Sequence, residues 1–201
     1  MNKPPRMLRP GVLRAWVMAL FLAVAGTAGA TSEILQGLSA LTRASHHVAF
    51  GKVVSVETRK DPANRRVTTH VHFAVIEMIK GQPADSLELV QRGGEIDGAY
   101  LGIEGMPRFK AGEELVVFTY RDRRGFEGVN GIQQGWYPVR RDSVTQERFV
   151  EGLPIEAPAT LVRAGESPRP MGRGRESMAS AFGRIRAAGD SLTARGRRDV
   201  P

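Results

Sequence analysis

In Val67 to Arg92, VTTHVHFAVIEMIKGQPADSLELVQR, two strand signals meet through a clear turn. Val71, Phe73 and Val75 alternate with His70, His72 and Ala74, the period of two that turns one face of a strand to a core and the other away. The phase shifts at Ile76, Glu77 and Met78, as a bulge would shift it. Gly81 and Pro83 then break the run, and Leu87, Leu89 and Val90 resume it. Two strand signals joined through a turn predict a β-hairpin.

On its N-terminal side, His47 to Arg59 (HVAFGKVVSVETR) reads as a long first strand with a bend or bulge at Gly51. Asp61-Pro62-Ala63-Asn64 suits a type I turn leading back into the hairpin. Before that strand, Ser32 can cap a short helix with Ile34, Leu35, Leu38 and Leu41 at helical spacing, weakened by Gly37. Past Arg92, Gly93, Gly94, Gly98, Gly102 and Gly105 crowd together with Glu95, Asp97 and Glu104. This predicts a long irregular loop ending at Gly112, and long loops in compact domains tend to carry function.

Glu114 to Tyr120 is the next strand, Arg121 to Gly125 a turn, Val129 to Val139 a further strand bearing Trp136 and Tyr137, and Val144 to Val150 a short addition. Five or six antiparallel strands, a long bent first strand and a glycine-rich crossover predict an all-β, OB-like barrel with a short N-terminal helix. A β-sandwich is the alternative.

The 201 residues, 41% of them hydrophobic, leave room for one such domain and extensions at both ends. Lys3, Arg6, Arg9 and Arg14 precede an apolar run from Ala15 to Ala25, and Ala28-Gly29-Ala30 supplies a small-x-small site. Residues 1–30 therefore read as a cleavable signal peptide, with a mature start at Thr31 and a periplasmic or secreted destination; a retained membrane anchor is the rival. Residues 31–157 form the barrel domain. Residues 158–201 form a flexible tail rich in Pro, Ala, Gly and Arg. Within it, Met178, Phe182 and Ile185 give residues 176–188 one apolar stripe, which suits a short helix packing back on the barrel, with a partner-binding or membrane-surface helix as the alternative.

There is no cysteine, which removes disulfides, a thiol nucleophile, a lipidated cysteine and thiolate metal sites. The formal charge of +8 is uneven along the chain. Residues 31–162 carry sixteen Lys/Arg against seventeen Asp/Glu, and residues 163–201 nine arginines against four acids. The basic character belongs to the tail.

The segments ASHHVAFGKVVSVETR, VHFAVIEMIKG and GGEIDG followed by GMPRFKAGEELVVF resemble a group of small exported bacterial β-barrel proteins of unknown role, over roughly residues 44–140. The first half is also similar to the netrin-like barrel of tissue inhibitors of metalloproteinases. That resemblance implies an OB-like barrel used to bind protein, an exported protease among the candidates. Those inhibitors act through an N-terminal cysteine and its disulfides. This chain has none, so their inhibitory chemistry does not transfer.

His70 and His72, two apart on a strand, share a face and form the sharpest metal candidate in the sequence. With the turn centred on Pro62 and Ala63, they fall opposite Ser55 and Val53, so His46 and His47 lie roughly 20 Å away at ~3.3 Å per residue. A solvated strand face is the preferred reading, and no metal or other cofactor is expected. Glu95 and Asp97 do not follow an EF-hand pattern, and a loop kept soluble by its acids explains them. Neither a phosphate-cradling glycine motif nor a G-x-S-x-G elbow occurs, so no catalytic residue is nominated.

Of Trp136 and Tyr137, one should face the core and the other solvent. With Glu95, Asp97, Arg108 and the 93–110 loop, the outward ring would form a patch for a protein partner. The near-neutral barrel argues against specific nucleic-acid binding. The expectation is an exported, non-enzymatic module that binds another exported or envelope protein. Two alternatives are a polyanion or membrane-surface binder acting through the C-terminal arginines, and a metal-dependent enzyme using His70 and His72.

Overall fold

The chain enters as β1 (Glu33–Leu35), α1 (Leu38–Ala44), β2 (His47–Lys60) and β3 (Val67–Lys80). It continues through β4 (Ser86–Ile96), β5 (Ala99–Gly102), β6 (Glu114–Arg121), β7 (Glu127–Val129), β8 (Trp136–Arg141) and β9 (Arg148–Glu151). It ends with β10 (Thr160–Val162), β11 (Arg175–Ser177) and α2 (Met178–Gly196). This computed structural model describes residues 33–62, 65–102, 106–132, 134–155, 160–162 and 174–196. The expected signal segment, the Ser32 cap, Ala63-Asn64, Glu104 and part of the tail lie outside the described residues.

The organising hairpin is present. β2 pairs with β3 from Val48 to Lys60 but with β6 only from His47 to Lys52, so one strand serves two neighbours in succession. Register shifts between Phe50 and Gly51 and between Val53 and Ser55 let it coil. β3 pairs with β4, β6 with β7, and β7 meets β4 in a parallel bridge between Leu89 and Glu127. The circuit β2-β3-β4-β7-β6-β2 is a closed five-strand barrel in OB order, which settles barrel against sandwich.

Alternation along these strands feeds two cores. Ala49, Val53, Val71, Phe73, Leu87, Leu89, Leu115 and Val117 fill the barrel, with Phe109 plugging it from the approach to β6. Val48, Phe50, Val116 and Phe118 point the other way, where β8 and β9 extend the sheet, and meet Leu38 and Leu41 of α1 and Ala181, Phe182 and Ile185 of α2. β6 is therefore apolar at successive positions because both its faces are covered.

Several sequence expectations are corrected. Ile34 and Leu35 belong to β1, which pairs with β10, and the helix starts only at Leu38. The strand expected over Val129 to Val139 is two strands. The Phe118 amide donates to the Gly135 carbonyl and the Phe118 carbonyl accepts from the Asn130 amide, so the chain leaves the edge of β6 as β7 and returns to it as β8. The glycine-rich stretch is not one irregular loop. β4 runs on to Ile96 and turns through Asp97 and Gly98, both at positive φ, into β5. Five strands form the barrel, as expected, and six more among the described residues extend or flank it. The helix expected over 176–188 is present as α2 and packs back on the second core, and β11 pairs with β9, so the described part of the tail belongs to the fold.

Candidate functional site

Beyond the barrel's own filling, the inner face of β2, β3 and β4 continues outward. The register shift after Val53 reverses the parity of β2, so Val56 and Thr58 stand opposite Val71 and Thr69 on that inner face. There, β4, β5 and the Met106–Phe109 segment enclose a cleft of about 150 Å³. Its floor is Val56, Met106, Pro107 and Phe109, and its polar wall is Thr58, Thr69, Gln91, Arg92 and Glu95. At the rim the Arg108 guanidinium lies 4.0 Å from the centre of the Tyr100 ring. Thr69 is held in place by donating to the Gly93 carbonyl at 2.7 Å. Gln91 is 6% exposed, and its Nε2 finds no hydrogen-bond partner among the described residues. A buried amide donor without an acceptor costs free energy, on the order of 1–3 kcal/mol, so its persistence calls for an explanation.

A second constellation forms where β2 begins and β6 runs towards β7. His46 sits in the bend just before β2, its amide donating to the Thr119 carbonyl at 2.6 Å. The bend removes the usual divergence of neighbouring strand side chains, so the His46 and His47 Nδ1 atoms come within 3.1 Å of each other. Glu127 Oε1 lies 2.9 Å from the first and 3.3 Å from the second. Its other oxygen, Oε2, accepts from the Thr119 hydroxyl at 2.7 Å. Burial holds the His47 imidazole below its ordinary value, against the opposing pull of Glu127. Gly81 packs its bare Cα against that ring: a Cβ there would stand 2.2 Å from His47 Cδ2.

Of the residues expected to bind, Glu95 and Arg108 line the cleft, whereas Asp97 sits at the tip of the β4–β5 turn. Trp136 and Tyr137 do diverge, but into two cores rather than into core and solvent. Trp136 packs on the barrel interior with its ring 6.2 Å from Phe109, behind the cleft floor. Tyr137 enters the second core, 5.7 Å from the Phe118 ring, and its hydroxyl donates to the Gln134 carbonyl. Tyr137 is buried and Trp136 half-buried, so neither ring stands fully exposed.

His70 and His72 stand opposite Glu57 and Ser55, two residues from the expected register, since the turn spans Asp61 to Arg66 and the pairing runs unbroken from Lys60 to Ser55. His70 Nδ1 pairs with Glu88 at 2.7 Å, and His72 faces solvent. The trio that could hold a metal among the described residues is instead His46, His47 and Glu127. In the tail, Arg184 pairs with Glu176 and with the Pro154 carbonyl, each at 2.6 Å, and Arg186 pairs with Glu77.

Sequence reasoning missed Gln91, Thr58 and Thr69, whose inward direction depends on the parity change in β2. It also missed Glu127, which reaches the histidines only through barrel closure. The His46-His47 dipeptide was the one visible signal. The chain matches no protein-family model, no curated protein and no solved structure. No helix among the described residues is long and apolar enough to cross a membrane.

Proposed function

We propose that this protein is an exported binding module and that the cleft beside β4 and β5 takes a side chain of a protein partner in the same compartment. Export rests on the N-terminal sequence, with its basic start, apolar run and small-x-small site. The observation that carries the binding reading is the Gln91 amide, buried and unpartnered in the wall of a cleft rimmed by Arg108 over Tyr100. The volume favours a side chain over a free cofactor, since about 150 Å³ falls below the ~300–1,000 Å³ typical of small-molecule sites. A free amide donor in a cleft with Arg108 at its rim selects a group that offers an oxygen acceptor. An aromatic ring carrying an arginine is a common kind of protein-binding anchor.

The test places a photo-crosslinking amino acid at Met106, in the cleft floor, and separately at Val144, an exposed turn residue elsewhere. The expected result is one discrete envelope or secreted protein crosslinked from Met106, absent from Val144 and lost in the Gln91→Leu/Arg108→Ala variant. The same adducts from both positions, or an adduct indifferent to the double substitution, would refute the cleft as the binding surface.

A further inference from the structure

We infer that His46, His47 and Glu127 form a binding site for one divalent cation of the zinc type. The proposal goes beyond the cleft reading and rests on different residues.

Three atoms define the site. Nδ1 of His46, Nδ1 of His47 and Oε1 of Glu127 form a triangle with edges of 2.9, 3.1 and 3.3 Å. Protons alone do not satisfy it. If both rings donate to the carboxylate, two N–H groups face each other across the 3.1 Å edge. If one ring donates to the other, the accepting nitrogen turns its lone pair towards a carboxylate oxygen. A dication satisfies all three edges together. With ligand distances of about 2.0–2.1 Å, edges of this length correspond to ligand–metal–ligand angles of about 90–110°, those of one face of a coordination polyhedron.

The ligand types agree. Two imidazoles and one carboxylate are a set that zinc accepts, and hard oxygen-seeking ions such as calcium prefer ligands that are absent here. The supporting contacts agree as well. Thr119 fixes Oε2 of Glu127, which leaves Oε1 for the metal, and Gly81 pins the His47 ring. The His47 and Glu127 side chains are only 8% and 7% exposed, while that of His46 is 40% exposed, so the site opens to solvent on one side. Three protein ligands and an open fourth position follow.

One group competes. Arg121 Nε lies 3.5 Å from Glu127 Oε1, a positive charge that a bound cation would have to displace. The Arg121 side chain is 57% exposed and free to swing into solvent. Its removal should therefore tighten metal binding, the opposite of what removal of a structural ion pair would do.

The experiment uses the full chain stripped with EDTA, titrated with Zn²⁺ by calorimetry and with Co²⁺ by visible absorption. One equivalent should bind, with a cobalt spectrum of low coordination number. Glu127→Gln and His46→Ala should each weaken binding at least tenfold. Thr119→Val, which removes only the hydroxyl supporting Glu127, should weaken it roughly 10- to 100-fold. Arg121→Ala should strengthen it, and His70→Ala/His72→Ala should leave it unchanged. Because the His46 side chain is partly exposed, its replacement does not threaten the fold, and that variant decides the matter if the buried ones do not fold. Absence of saturable binding overturns the proposal. So does unchanged affinity in His46→Ala, or loss confined to the His70→Ala/His72→Ala variant.

Discussion

Leu89 and Glu127 face one another across the parallel bridge that closes the barrel. The backbone that seals the sheet thus belongs to the residue whose carboxylate gathers His46, His47 and Thr119. In metal-free protein, Glu127→Ala leaves the buried Thr119 hydroxyl and His47 ring without their shared acceptor and should cost about 1–3 kcal/mol. Glu127→Gln keeps an oxygen for Thr119 and should cost less. Urea denaturation of both variants checks the order; equal losses would mean that the hydrogen bond to Thr119 contributes nothing.

Gly51 lies at a register shift in β2, where a Cβ would stand 2.1 Å from the Ala74 carbonyl oxygen and 2.7 Å from the Phe73 ring. Backbone cannot step aside as a flexible side chain can. Gly51→Ala should destabilise by about 1–3 kcal/mol or more, read as a lower melting temperature. An unchanged melt would show that β2 can shift its coil without cost.

Lys80 closes the end of α1: its ammonium donates to the Thr42 carbonyl at 2.6 Å and the Ser45 carbonyl at 2.7 Å. A cation on terminal carbonyls also complements the helix dipole. Lys80→Met should lower stability by about 1.5–3 kcal/mol and speed hydrogen exchange of the amides of residues 41–46. Exchange that rises uniformly across the protein would argue against a local cap.

Ile185, on α2, is fully buried in the second core. Ile185→Ala should cost about 2–5 kcal/mol, a loss no flexible tail would register. Val144→Ala, at a turn residue that is 86% exposed, should stay within about 0.5 kcal/mol. Chemical denaturation of the two variants side by side tests whether the C-terminal arm is part of the fold.

Asp142 accepts from the amides of Thr145 and Val144 at 3.0 and 2.9 Å, and these bonds hold its carboxyl below the ordinary value of 3.8. A carboxylate depressed in the folded state contributes stability above its unfolded value and loses it as pH falls through the folded one. Asp142→Ala should therefore melt below the parent protein at pH 7, and the gap should narrow once the pH drops beneath 3.8. A gap that stays constant with pH would assign the effect to packing.

The barrel was legible because its signals are local: alternation in Val71, Phe73 and Val75, a bend at Gly51, turns at Asp61 and Gly81. What depends on distant pairing was not. A continuous apolar run such as Leu115 to Phe118 does not announce that its alternate residues enter two different cores. The parity change after Val53, which turns Val56 and Thr58 towards the cleft, leaves no mark in spacing. Glu127 approaches His46 from 81 residues away, so the trio exists only once the sheet has closed. The His70-x-His72 spacing, by contrast, is a strand's ordinary alternation: His70 pairs with Glu88 and stands opposite Glu57, but among the described residues no three ligand atoms gather around it.

β6 sends Leu115 and Val117 into the barrel and Val116 and Phe118 against the helices. A wall shared in this way leaves no seam along which one half could melt while the other survives. The barrel and its helical cover should therefore unfold in one transition: loosening α2 strips the outer side of the strand that lines the barrel, and anything bound to either part would raise the midpoint of the whole.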